Sequence, residues 1–122
     1  MHMTMSECYQ ALGGNYKDVL ARFRSEERIA KYIIKFLQDQ SFHNLQAALE
    51  TGDADTAFRA AHTLKGVAQN LGLDQLSNSS VQITEALRTK DLSQATALFS
   101  VVSSDYLLTI QSIQNYQSNP SN

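Results

Sequence analysis

The chain has 122 residues, 43% of them hydrophobic and 18% charged, enough to bury one core and too few for two comfortable domains. Its net charge of −2, with basic residues interspersed among acidic ones, gives no electrostatic drive toward a phosphate backbone, so nucleic acid is not an expected partner. The single cysteine, Cys8, has no internal disulfide partner or neighbouring metal ligands, and no apolar run approaches the roughly 20 residues that span a bilayer.

A cytoplasmic protein with no membrane partner is therefore expected, with Cys8 as a small buried apolar residue. The domain is expected to cover residues 1–122. Residues 1–3, Met-His-Met, are read as partly a cloning remnant, which removes His2 from functional reasoning, and residues 117–122, with the only proline at Pro120, as a frayed tail.

Strand-like alternation is nowhere sustained, and the recurring period is helical. A first short helix follows a capping box, Thr4 with Glu7, and stops at Gly13-Gly14. A second short helix from Asn15 carries Val19, Leu20 and Phe23. A long apolar pattern through Ile29, Ile33, Phe36, Leu37, Leu45 and Leu49 then closes at Gly52, with Gln38 to Phe42 as the place for a kink or a split. Asp53 reads as the N-cap of the next helix, whose core line is Ala57, Ala61, Leu64, Ala68 and Leu71 and which Gly72 ends. Another helix opens near Asp74, carries Leu76, Ile83 and Leu87, and ends about Lys90. A last long one runs from around Ser93 through Ala97, Leu98, Val101 and Leu108 to Ile113. Four substantial amphipathic helices with short connections predict an all-α protein, an antiparallel four-helix bundle with short additional N-terminal helices packed against it.

The stretch AAHTLKGVAQNLG, Ala60 to Gly72, holds the chemistry. At about 100° per residue, Phe58, His62, Lys65, Gly66 and Gln69 gather on a face beside the core line, which leaves the histidine partly exposed. A glycine costs a helix interior about 1 kcal/mol relative to alanine and so needs a reason, either close helix packing or clearance at a site. Lys65, one turn from His62, puts a cation within reach of an anion attached to the ring. Imidazole, with an ordinary pKa of about 6.5, offers a lone pair at neutral pH without a separate base. Phosphoryl transfer depends mainly on positioning and charge neutralisation, so an accessible imidazole with a nearby cation suits the acceptor side, and Arg59 with Lys65 makes a patch complementary to an acidic donor.

The residues His62-Thr63-Leu64-Lys65-Gly66, preceded by Ala61 and followed by Leu71-Gly72, resemble the signature of the histidine-containing phosphotransfer (HPt) domain family of two-component phosphorelays. The similarity extends over Phe36 to Gly72 and into the next helix, which opens with Leu73 and Leu76, and is least diagnostic at the N-terminus. It implies a four-helix bundle in which His62 is reversibly phosphorylated, through Nε2, and relays phosphate between receiver-domain aspartates. By the same resemblance Lys65 is the phosphate charge partner, Gly66 the clearance for ring and partner, and Phe58, Arg59 and Gln69 receiver-binding positions. Several members orient the imidazole with a glutamine about twenty-two residues on; that position here is Thr84, which leaves the role open among Thr84 through water, Gln82 and Glu85. The implied partners are response-regulator receiver domains and a hybrid histidine kinase, with Mg²⁺ expected only in the partner receiver; a monomer is expected because one accessible histidine per bundle suffices, and no cofactor or metal is expected in the chain itself, whose sequence has no evident cluster of histidines, cysteines and carboxylates.

No GxxxxGK[ST] loop or other glycine-rich phosphate cradle is present, so the chain is expected to be a phosphoryl carrier and not an ATP-using enzyme. His43 lacks comparable company and reads as a surface or loop histidine, and Asp53 and Asp55 as helix-start residues. Two other readings fit the same residues: a phosphate-independent helical adaptor that binds a receiver or kinase, and the substrate domain of a larger histidine kinase.

Overall fold

The structure is a computed structural model that describes residues 3–118; residues 1–2 of the expected remnant and 119–122 of the expected tail lie outside the described residues. Seven α-helices and one 3₁₀ turn make up the described residues. The capping box of α1 (Met5–Leu12) is present as read, with Glu7 N–H donating to Thr4 Oγ1 at 3.0 Å and Thr4 N–H donating to Glu7 Oε1 at 2.9 Å. Asn15 caps α2 (Tyr16–Phe23) and Ser25 caps α3 (Glu26–Lys35) in the same way, each through a side-chain oxygen that accepts an otherwise orphaned N–H.

The long apolar pattern after Ile29 is split, not kinked. The chain tightens into a 3₁₀ turn at Phe36–Gln38, Asp39 is extended, and its carboxylate accepts the Ser41 N–H at 2.8 Å to restart the backbone as α4 (Ser41–Thr51). Gly52 closes α4, and α5 (Ala54–Asn70), α6 (Asp74–Arg88) and α7 (Leu92–Ser118) follow through connections of a few residues. α5 packs against both α4 and α6, α6 against α7, and α7 back against α4, which closes the expected bundle. An aromatic stack seals the α4–α7 seam, with the Phe42 and Tyr106 rings 4.0 Å apart and nearly parallel and Phe99 on the other face of Phe42 at 5.3 Å. Among the described residues, no helix is long and apolar enough to cross a membrane.

One boundary differs from the sequence reading. Helix α7 continues past Ile113 to Ser118, so Gln117 and Ser118, expected in a frayed tail, are helical. The extension is held because Ile113 and Tyr116 are buried and α1 packs along it; the Cys8 thiol reaches the Ser112 carbonyl at 3.5 Å. Cys8 is fully buried as expected, and burial pushes its thiol up to about 11.

The N-terminal helices also clasp the C-terminal end of α5. The Tyr9 hydroxyl donates to the Leu71 carbonyl at 2.6 Å, Asn15 N–H to the Gly72 carbonyl at 2.9 Å, and the Arg22 guanidinium to the Asn70 and Gln69 carbonyls at 2.9 and 3.2 Å. These donors satisfy carbonyls that a helix end leaves without intrahelical partners, and the guanidinium sits at the negative pole of the helix dipole. The approach is so close that a β-carbon on Gly14 would lie 2.6 Å from the Gly72 oxygen, and Gly72 itself has φ +66°. Tyr9→Phe strands the Leu71 acceptor and is expected to cost about 1–2 kcal/mol in urea unfolding while far-ultraviolet circular dichroism stays native. Cys8 in the native protein should resist a thiol reagent at pH 8 and react fully once the chain is denatured, which a colorimetric thiol assay measures directly.

Candidate functional site

Helix α5 begins where Asp53 places its carboxylate over the first turn. That group accepts the Thr56 N–H at 3.1 Å and the Thr56 hydroxyl at 2.6 Å, and both bonds hold its pKa below the usual carboxylate range. The Thr56 hydroxyl oxygen in turn accepts from the Arg59 guanidinium at 3.2 Å, so Arg59 lies along the outer surface of the first turns. The expected N-cap role of Asp53 is the one observed. Asp55, in the first turn of α5, pairs with Lys90 of the α6–α7 turn at 3.6 Å, an exposed ion pair worth little.

The inner face of α5 is made of Ala57, Ala61, Leu64 and Ala68, all fully buried. The opposite side carries the expected set. His62 is exposed, Phe58 half-buried with its ring 5.9 Å from the imidazole, Lys65 half-buried one turn on, and Gly66 and Gln69 exposed. Among the described residues Lys65 enters no salt bridge, so its ammonium group is not committed to a carboxylate of the chain.

Gly66 is informative by elimination. A β-carbon built on it meets nothing within 4 Å, which removes close helix packing as its reason, and its φ is not in the left-handed region. The His62 ring is among the groups such a carbon would not touch, so the expected clearance for the ring is not needed in this conformation. The space above Gly66 is open.

Arg88, at the end of α6, borders the His62 depression, a placement that the sequence reading missed. Its guanidinium lies over the Phe58 ring, 5.2 Å from the centroid, and pairs with Glu85 one turn back at 3.2 Å. Together Phe58, Arg59, His62, Thr63 and Arg88 line a shallow depression, which gives the imidazole a cation from each of two helices besides Lys65. Thr84 does not join it. It is fully buried, and its hydroxyl is spent on the Ser80 carbonyl at 2.6 Å, while Gln82 is exposed and Glu85 is exposed and held by Arg88. The imidazole-orienting role expected of Thr84 is thus corrected: in an antiparallel α5–α6 hairpin that brings Phe58 to Arg88, Thr84 is level with His62 but turned inward, and Arg88, one turn further, reaches outward. A basic residue in the last turn of the second helix of a tight hairpin is the signal that points to it.

No group of three or more His, Cys, Asp or Glu side chains is placed to hold a metal ion among the described residues. His43 is exposed on α4, its ring edge-on to Phe42 and Tyr106 and away from the site, in keeping with a surface histidine.

A scan against family models matches the Hpt domain over residues 35–116. The chain belongs to the Hpt domain family. No curated protein and no solved structure matches it. The matched span contains α4, α5, α6 and all but the last two residues of α7, hence the whole His62 face, and leaves α1, α2 and nearly all of α3 outside. As an Hpt domain the chain has a phosphotransfer-type role in two-component signalling, in which such domains are phosphocarrier modules, not ATP-binding kinases, and interact with receiver domains and kinases. Because Gly66 makes no contact that a methyl group would disturb, Gly66→Ala is expected to stabilise this Hpt domain by about 1 kcal/mol in thermal unfolding, and a loss of stability would restore a packing role for the glycine.

Proposed function

We propose that the chain is a monomeric relay protein that takes a phosphoryl group from a receiver-domain aspartate onto His62 and passes it to a second receiver. The observation that carries this is the outward-facing triad of His62, Lys65 and Gly66, with open space above the glycine.

In the transfer step the Nε2 lone pair attacks phosphorus of the phospho-aspartyl group in line with its acyl oxygen. The new N–P bond forms as that P–O bond breaks, and its electron pair leaves on the aspartate carboxylate. The remaining ring proton stays on Nδ1, so the phosphorylated ring needs no further proton transfer. A divalent cation held by the receiver would neutralise charge on the donor side. On this side Lys65 and Arg88 supply cations to the phosphoryl oxygens, which is how most of the barrier to phosphoryl transfer is lowered. Arg88 is held for this by the Phe58 ring and by Glu85, and the Phe58 ring lies beside the imidazole, 5.9 Å away. Phe58, Arg59 and Gln69 form the surrounding contact surface, with Gly66 at the point of closest approach.

The decisive experiment mixes the purified protein with a receiver domain charged by a small-molecule phosphodonor and assays for acid-labile, alkali-stable phosphate. The wild type should take up label; His62→Gln should keep its helical circular dichroism and take up none. Gly66→Gln should fold and block transfer, and Arg88→Ala should slow it by about tenfold to a hundredfold, with Arg88→Lys recovering part of the rate. Label appearing only with ATP and a histidine-kinase catalytic module would mark a kinase substrate domain instead. No label from any source, with receiver binding intact in His62→Gln, would mark an adaptor.

A further inference from the structure

The charge of the chain is unevenly placed. Six of its ten lysines and arginines fall between Lys17 and Lys35, against three acids there, while the rest of the chain carries nine acids and four bases. This basic segment is α2 and α3, which lie outside the family match except for Lys35.

Folding turns the segment into a corner with an aromatic centre. The Phe23 and Tyr32 rings stack at 5.4 Å with 28° between planes, and Tyr32, 41% exposed, is one of only three large hydrophobic residues left so open among the described residues. A cleft beside the stack is lined by Arg22, Phe23, Arg28, Lys31 and Tyr32, with the Lys31 ammonium 5.8 Å from the Tyr32 ring centre. On its other side Tyr32 borders a second depression shared with Lys35 and with Val67 and Asn70 of α5. The corner therefore abuts the C-terminal end of the His62 helix, where Arg22 is bonded to the Gln69 and Asn70 carbonyls. Gln69 is seven residues from His62 on the same face, about 10 Å along the axis at 1.5 Å per residue. A protein seated on His62 with an ordinary interface of about 800 Å² per side extends past that distance.

We infer that the Phe23–Tyr32 cleft is a second docking point, one that takes an acidic segment of the partner protein lying over His62. Arg28 and Lys31 meet its carboxylates and Tyr32 packs on its apolar atoms. Charge complementarity argues for carboxylates, and the interspersed Asp18, Glu26 and Glu27, in a chain acidic elsewhere, argue against a continuous phosphate backbone. Contacts of this kind act on encounter and register and leave chemistry alone, so the corner sets which partner is served. The identity of the partner as a phosphorylated receiver rests on the relay reading; binding of an acidic segment does not.

The test has two arms on the full chain. In the first, a 20-residue polyglutamate-tyrosine peptide, a 20-nucleotide single strand and vesicles with anionic lipid are each titrated while amide signals are followed by nuclear magnetic resonance. The peptide should move the signals of Phe23, Arg28, Lys31 and Tyr32 in the wild type and not in Arg28→Glu/Lys31→Glu, which alters two exposed side chains. No movement, or stronger movement with the nucleic acid or the vesicles, overturns the proposal. In the second arm, the same double variant is assayed for transfer from a charged receiver; KM should rise about tenfold, less so at high salt, with kcat unchanged. An unchanged KM overturns the proposal for that receiver. Failure of the wild type to accept phosphate would sink the relay reading, and the peptide arm would still decide the cleft.

Discussion

The buried alanines of α5 set the geometry on which the site depends. With Ala57, Ala61 and Ala68 fully buried and only Leu64 as a large side chain between them, α4 and α6 can both approach the helix closely. Small residues on the inner face make α5 a thin central element, and α6 answers with buried Ser77, Ser80 and Thr84. Close approach brings the outer rims of adjacent helices together. For that reason Arg88, a residue of α6, can reach the ring of Phe58 on α5 and share a depression with His62. A bulkier inner face would hold the helices apart and leave the histidine alone on a convex surface.

The outer face of α5 is rigid for a different reason. Its first turn is tied by Asp53 and Thr56, and its last carbonyls are tied by Tyr9, Asn15 and Arg22 from the N-terminal segment. Both ends of the helix are thus held by groups of residues that lie outside it, Asp53 at the start and Tyr9, Asn15 and Arg22 at the end, and His62 sits near the middle, where fraying is least. Phosphoryl transfer gains most from positioning, so a phosphocarrier module whose central helix is tied at both ends has its order where the chemistry needs it.

Most of the fold was legible because helix ends here are written in local chemistry. Thr4 with Glu7, Asn15, Asp53 and the glycines at 13, 52 and 72 act on backbone groups within a few residues of themselves, and the structure uses them as read. The break at Phe36–Gln38 was legible only as a place, since whether a helix bends or stops there depends on the Asp39 carboxylate and on the aromatic stack with α7. The length of α7 was hidden for a similar reason: Tyr116 is buried against distant helices, and nothing near it in sequence says so. At the site, the histidine, lysine and glycine share one helix and are related by spacing alone. Arg88 and Thr84 lie on another helix, where a rotation of one residue decides which side chain faces outward, and that rotation is a property of interhelical packing.

The clasp between the two ends of the chain bears on how the molecule comes to be folded. The helical hairpins from α4 to α7 are joined by turns of a few residues, so their closure costs little chain entropy and their contacts form early. The contact of Cys8 with Ser112 spans 104 residues, and that of Tyr9 with Leu71 spans 62. Such pairings are the slowest for a chain to find. The N-terminal helices therefore carry a long loop closure of the fold, and the helix that bears His62 depends at its C-terminal end on a pairing that spans 62 residues.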